Sequence, residues 1–281
     1  MAKKILLFIV EGDTDKIALT RVLKQFFQVN KNLLETYSAN GDLLATYAYR
    51  ATPKQAIGEV INKFLDEYNF TSKKVLYRII HLIDTDGCYI PDANIIYNPI
   101  YTKDKGSFYS NTTIQTDNVK EKVDRNNRKR VFIKAMLNTQ YVAKTIPYEM
   151  YYFSHNRDYV CFGNHNPTQI DKNNYAVQFK KMYENDFEGF VKFIESTYPP
   201  VPKEKIPSWT FIQDGLHSLE KWSNFYLFLL RYCCFIQTQE EYMQKLQELN
   251  ELIQKENPTP EDIENKFKLE LLLNWYSKNN N

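Results

Sequence analysis

The spacing of hydrophobic positions near the start of the chain predicts a strand followed by a helix. Residues 4–10 (KILLFIV) are an almost wholly apolar run, which is typical of a strand buried on both faces of a parallel sheet. From Thr14 onward, apolar residues recur at the three- and four-residue spacing of one helix face. The acidic turn Glu11-Gly12-Asp13 separates the two patterns, so the opening unit is strand, acidic turn, helix.

The same alternation of helix and strand continues along the chain. Thr52 and Pro53 are a typical cap and first helical residue, and an apolar helix face follows them as far as residue 68. Residues 75–83 are a second buried-strand run, and residues 147–153 predict a further strand. Helices of this length between strands imply right-handed crossovers. We therefore predict an α/β fold with a mainly parallel sheet flanked by helices.

The second half of the chain is predicted to be helical. Residues 154–163 suit a short helix and turn, and residues 198–207 hold four prolines, which predicts a stiff linker. Longer helices are predicted over residues 174–197, 216–236, 239–255 and 260–276. This pattern predicts an α/β domain over residues 1–165 and an all-helical C-terminal domain over residues 166–281.

Composition and charge narrow the function classes. Hydrophobic residues make up 43% of the 281 residues, which suits a globular core, and 36 Lys+Arg against 34 Asp+Glu leave a net charge of only +2. Nucleic-acid binding must therefore rest on local features. No apolar run is long enough to span a membrane, and the four cysteines lack the spacing of a zinc site. We expect a cytoplasmic protein without a membrane contact.

Carboxylates follow two of the predicted strands. Glu11 ends the first strand, and Asp84 and Asp86 end the second, so all three are expected at one edge of the sheet. Asp15 lies four residues after Glu11, one helical turn further on. Grouped carboxylates repel one another unless a cation neutralises them, and Mg²⁺ or Mn²⁺ suits oxygen ligands. We predict a metal site that polarises a phosphate and activates water.

A basic cluster is the candidate nucleic-acid contact. It consists of Arg125, Arg128, Lys129 and Arg130, which could neutralise phosphates and release counterions. Lys134 follows shortly after and is a possible contact to the scissile phosphate. A solvated surface would produce the same cluster, so both interpretations stay open.

Two of these motifs resemble a known family. The string from Phe8 to Leu19 (FIVEGDTDKIAL) resembles the opening motif of the Toprim domain, and Ile83 to Gly87 (IDTDG) resembles its Asp-x-Asp motif. Both lie within residues 4–90. The resemblance implies a Toprim-like fold in which Glu11, Asp84 and Asp86 hold Mg²⁺ for phosphodiester chemistry. Asp15 matches the nuclease branch, where the acid at this position is also a metal ligand.

The resemblance extends to a narrower group within Toprim proteins. The chain has no P-loop, unlike fused nucleases of the overcoming-lysogenization-defect (OLD) type. It resembles the stand-alone Toprim effectors of bacterial phage-defence (abortive-infection) systems, which implies a separate ABC-type ATPase as partner and allows a homo-oligomer. The segment from Tyr152 to Cys161 is weakly similar to one found in such effectors, with Asp158 in the place of a glutamate. We therefore predict a metal-dependent nuclease acting on DNA or RNA.

Three alternatives remain at this point. The acids could be helix caps and turn residues without a chemical role. The chain could be a non-catalytic Toprim module that docks on an ATPase. Asp84 to Cys88 (DTDGC) also resembles the opening motif of haloacid-dehalogenase-like phosphatases, although Cys88 stands where threonine is expected. A Rossmann dinucleotide site is excluded, because the turn after the first strand lacks the required glycines.

Overall fold

A five-stranded, mostly parallel sheet lies between two layers of helices. The computed structural model describes residues 5–27, 34–38, 43, 52–232 and 239–280. The strands are β1 (Ile5–Val10), β2 (Leu34–Ser38), β3 (Leu76–Asp84), β4 (Ile95–Tyr97), β5 (Phe108–Tyr109), β6 (Ile114–Thr116), β7 (Tyr141–Val142) and β8 (Ile146–Phe153). The main sheet has the order β2-β1-β3-β8-β7, and only β7 runs antiparallel to its neighbour. The predicted α/β fold class is confirmed.

Helices cover both faces of the sheet and make up the C-terminal part. In chain order they are α1 (Asp13–Phe27), α2 (Pro53–Glu67), α3 (Val119–Leu137), α4 (Arg157–Phe162), α5 (Gln169–Tyr183), α6 (Phe187–Ser196), α7 (Lys205–Ile212), α8 (Tyr226–Tyr232), α9 (Gln239–Gln254) and α10 (Pro260–Asn280). Helix α2 begins as predicted, since Thr52 and Gln55 form a reciprocal capping box ahead of Pro53.

The alternation of side chains along β1 divides the interior into two cores. Leu6 and Phe8 face the core formed with α1, α5, α6 and α8, whereas Leu7 and Ile9 face the core formed with α2, α3 and α7. Every residue of β1 is buried, which explains the unbroken apolar run in the sequence. Helices α9 and α10 form a hairpin around a small leucine cluster of their own.

An insertion between β3 and β8 carries a second sheet. Its three short strands have the order β4-β6-β5, and helix α3 follows them before the chain returns to the main sheet. The side chains of Ile90, Ile95, Ile114 and Leu219 form its small core. This insertion places α3 next to the end of β3.

Several predicted boundaries in the C-terminal half are wrong. The helix predicted over residues 174–197 is two helices, because Asp186 caps a new helix by accepting a hydrogen bond from the Gly189 amide. The linker predicted over residues 198–207 already contains the start of α7, with Pro207 in the first turn, where a proline is tolerated. The helix predicted over residues 216–236 is interrupted, since Trp222 and Ser223 pair with the end of β8. Residues 233–236 lie outside the described part.

The domain boundary at residue 165 stays a prediction. Helices α5, α6 and α8, which follow this boundary, share a core with β1 and α1, which precede it. Packing therefore joins the two predicted domains around one face of the sheet.

Candidate functional site

Four predicted acidic residues meet at the carboxyl edge of the main sheet. Glu11 follows β1, Asp15 lies in the first turn of α1, Asp84 ends β3 and Asp86 lies two residues later. Strands β1 and β3 are parallel neighbours, so their ends bring these residues together. Burial raises the pKa of Asp84 well above its ordinary value, and the negative charges of Asp15, Glu11 and Asp86 raise it further.

The turn that carries Asp86 is held by backbone hydrogen bonds. The Asp86 amide donates to the His155 carbonyl oxygen over 2.8 Å, and the His155 amide donates to Thr85 Oγ1 over 2.9 Å. Asp86 has φ +50° and Gly87 has φ +65°, so both occupy the left-handed region. A Cβ atom on Gly87 would lie 2.6 Å from Cδ2 of Leu219, which explains the glycine at this position.

Helix α3 presents basic side chains to these acids. Lys129 is fully buried, and its Nζ lies 2.6 Å from Asp86 Oδ2 and 3.7 Å from Glu11 Oε1. Arg125 Nη2 donates to the same Asp86 oxygen over 2.8 Å. Burial by itself would raise the pKa of Asp86, but the charges and hydrogen bonds of Lys129 and Arg125 outweigh it and hold this pKa well below its ordinary value.

Arg157, at the start of α4, also contacts these acids, and the sequence analysis did not single it out. Its side chain is 1% exposed, its Nε donates to Asp15 Oδ1 over 2.6 Å, and its Nη2 lies 2.7 Å from Asp158 Oδ1. Its backbone amide also donates to Asp84 Oδ1 over 3.2 Å. The available signal was a basic residue directly before Asp158, in the segment that resembles known effectors.

Asp15 has the capping role that the sequence left open for the acids, and it also belongs to the cluster. Asp15 Oδ2 accepts a hydrogen bond from the Gly12 amide over 3.2 Å, which is the pattern of an acid that caps the first turn. Asp15 therefore serves the fold and contributes charge to the site. Asp158, in the first turn of α4, is buried, and this burial raises its pKa.

Negative charge predominates in this group, which we call the carboxylate cluster. In the contacts described above, five carboxylates meet three basic side chains, so the acids outnumber the bases. The acids are Glu11, Asp15, Asp84, Asp86 and Asp158, and the bases are Arg125, Lys129 and Arg157. Oxygen donors grouped in this way fit a hard divalent cation such as Mg²⁺.

The side chains nevertheless point to their basic neighbours. Within the described ranges, no group of three or more His, Cys, Asp or Glu side chains has a geometry that could hold a metal ion. The reason is visible at Asp86 and Asp15, whose oxygens accept hydrogen bonds from Lys129, Arg125 and Arg157. The metal site thus stays a prediction, supported by the donor chemistry and not by a ready-made ligand geometry.

The remaining predicted basic residues lie in different surroundings. Arg128 lines a polar pocket beside the cluster, whereas Arg130 pairs with Asp92 over 3.0 Å at the protein surface. Lys134 is exposed on α3, five residues and about 140° around the helix from Lys129. The structure therefore joins Arg125 and Lys129 to the carboxylate cluster and does not join Arg130 or Lys134 to it.

Comparison with known proteins adds no functional evidence to the geometry of the site. No protein-family model, curated protein or solved structure matches this chain. The Toprim resemblance therefore rests on the short motifs around Glu11 and Asp84. In addition, none of the described helices is both long enough and apolar enough to cross a membrane.

Proposed function

We propose that this chain is a metal-dependent nuclease that hydrolyses phosphodiester bonds in DNA or RNA. The observation that carries the proposal is the carboxylate cluster itself, in which Glu11, Asp84 and Asp86 meet at the carboxyl edge of a parallel sheet, next to buried basic side chains. Such a pairing of oxygen ligands with cations suits a reaction on a phosphate group. The resemblance of the two motifs to Toprim nucleases supports the same activity.

Each part of the cluster has a role in this proposal. Glu11, Asp15, Asp84 and Asp86 would hold Mg²⁺ or Mn²⁺, and the chemistry supplied by a bound cation is polarisation of the phosphate and a lower pKa of the attacking water. Lys129 and Arg125 would release Asp86 and neutralise charge on the phosphate oxygens.

Arg157 and Asp158 would complete this arrangement of carboxyl groups. Arg157 holds Asp15 and Asp158 through its guanidinium group and Asp84 through its backbone amide. It would keep these carboxyl groups oriented when the substrate enters. Asp158 would be a further oxygen ligand within this arrangement.

Cleavage of a mixed panel of nucleic acids tests the proposal. The panel contains plasmid, linear duplex DNA, single-stranded DNA and total RNA, each with Mg²⁺, Mn²⁺ or EDTA. We expect metal-dependent cleavage by the wild type and a loss of about a hundredfold or more in Glu11→Gln and Asp84→Asn. Asp92→Asn is the matched control, because Asp92 is a carboxylate outside the cluster. Equal cleavage by all variants, or none by the wild type even with its partner, contradicts the proposal.

A non-catalytic role is the second candidate, and one observation favours it. Asp15 and Asp86 are already paired with basic side chains, so these two carboxylates are neutralised without a metal ion. In this role the chain docks on an ATPase and cuts nothing. Asp84→Asn would then leave both partner binding and the biological response intact, whereas a nuclease would keep the partner and lose the response.

The cellular context follows from the motif resemblance. We propose a cytoplasmic phage-defence effector that a separate ABC-type ATPase controls, since an unrestrained nuclease would harm its host. Co-purification of the tagged chain from infected and uninfected cells tests this context. Failure to recover an ATPase from either culture contradicts the proposed ATPase partner and leaves the nuclease proposal intact.

A further inference from the structure

A polar pocket of about 480 Å³ lies directly beside the carboxylate cluster. One wall is the first half of α3, and the other is the loop around residues 102–107 together with Tyr109. This volume falls within the range of small-molecule binding sites. We call it the lysine pocket, after a buried residue of its lining, Lys122.

Lys122 is a buried cation for which the described residues provide no acidic partner. Its residue exposure is 7%, its Nζ donates to the Tyr109 hydroxyl over 2.6 Å, and it lies 4.8 Å from the centre of that ring. In the part of the chain that the structure describes, no carboxylate oxygen comes within 4.0 Å of this Nζ. Burying an ammonium group is costly unless an anion balances it, so the position of Lys122 favours an anionic ligand.

The other charges of the lysine pocket strengthen this preference. Lys103, Arg125 and Arg128 also line it, against the two acids Asp117 and Glu121. Glu121 Oε2 accepts a hydrogen bond from the Asn118 side chain at the start of α3, which ties this acid to the helix cap. The basic groups therefore outnumber the acids, as expected for a phosphate-binding site.

Arg125 connects the lysine pocket to the carboxylate cluster. Its guanidinium group lines the pocket and also donates to Asp86 over 2.8 Å. A nucleic-acid strand with one phosphate on Arg125 and Lys129 would therefore have a neighbouring nucleotide at the pocket. Lys122, Arg125 and Lys129 lie at positions i, i+3 and i+7 of α3, so one helix face serves both places.

We propose that the lysine pocket binds one nucleotide of the substrate strand next to the cleaved bond, with its phosphate on Lys122 and Arg128. This assignment rests on the proposed nuclease function. The assignment adds to that function a contact with one nucleoside monophosphate unit of the substrate. The loop around residues 102–107 would lie against the sugar and base.

Metal-free binding of adenosine monophosphate to the full-length protein tests the pocket separately from catalysis. The titrations contain EDTA and compare adenosine monophosphate with adenosine and inorganic phosphate. We expect the monophosphate to bind most tightly and Lys122→Met to weaken it by about tenfold or more, because a charged hydrogen bond is lost. Lys120→Met is the matched control, since Lys120 is exposed on the same helix. Arg128→Gln provides a second test if Lys122→Met does not fold.

The outcomes separate this inference from the proposed function. Equal binding by wild type, Lys122→Met and Arg128→Gln overturns the inference, and so does inorganic phosphate binding as tightly as the monophosphate. If the wild type cuts nucleic acid and Lys122→Met cuts with unchanged KM, the nuclease stands and the pocket assignment fails. If the monophosphate binds through Lys122 but nothing is cut even with the partner, the pocket stands as a nucleotide site, whereas the nuclease proposal and the assignment to a substrate strand fail.

Discussion

Replacing Arg157 with methionine is expected to lower the free energy of unfolding by about 3–5 kcal/mol. The guanidinium group is 1% exposed and is shared between Asp15 at 2.6 Å and Asp158 at 2.7 Å. Methionine keeps much of the apolar stem, so the main effect is the loss of charge. The variant leaves two carboxylates without their shared cation, and Asp158 is only 7% exposed.

The size of this effect follows from burial and can be checked against a surface pair. Arg21 makes a comparable ion pair with Glu184 over 3.3 Å, but its side chain is 66% exposed. Solvent screens such a pair, so Arg21→Met should cost less than about 1 kcal/mol. The contrast between the two arginines measures the combined effect of burial and of the second acidic partner of Arg157.

Urea unfolding at neutral pH, followed by circular dichroism, measures both variants against the wild type. We expect Asp158→Asn in the Arg157→Met background to recover part of the lost stability, because it removes one of the uncompensated charges. The double variant also provides a measurement if the single variant does not fold. If Arg157→Met costs no more than Arg21→Met, the ion network contributes little and our description of Arg157 is wrong.

Three further predictions concern residues outside the carboxylate cluster. His81 is fully buried beside the Tyr148 hydroxyl at 2.7 Å, and burial lowers its pKa to about 3. The His81 imidazole of the unfolded state is protonated below about pH 6.5, whereas that of the folded state stays neutral down to about pH 3, so His81 should lower the free energy of unfolding by about 1.4 kcal/mol for each unit that the pH falls within this range. Urea titrations at several pH values should show a weaker slope for His81→Gln. Asn126 is fully buried, and neither of its amide atoms has a hydrogen-bond partner among the described residues, so Asn126→Leu should raise the melting temperature, and an unchanged or lower value contradicts this. Thr52→Ala removes the capping box of α2 and should cost about 1 kcal/mol in urea unfolding, whereas Thr52→Ser should cost much less.

The amino-acid sequence by itself determined the strands and helices that are strongly patterned. The apolar runs of β1, β3 and β8 and the cap at Thr52 depend on local spacing, so their positions were predictable. The convergence of Glu11 with Asp84 was predictable as well, because the ends of parallel neighbouring strands must meet at one edge.

Tertiary contacts decided the features that local spacing does not encode. The break between α5 and α6 depends on a cap by Asp186, and the segment at Trp222 pairs with β8 instead of continuing a helix. The sequence left open whether the basic cluster on α3 contacts nucleic acid or forms a solvated face, and the structure buries Lys122 and Lys129 on this helix. Whether a cation on a helix meets solvent, an acid or a pocket depends on what packs against that helix, and that partner lies far away in the sequence.

Arg157 shows the same limit at the site itself. Its contacts join residues 142 positions apart, from Asp15 in α1 to Arg157 in α4. The sequence indicated that acids would gather at this edge, because strand order brings them there. Only the packed structure decided which basic side chains would neutralise them, since that choice depends on side-chain distances within a buried, low-dielectric cluster.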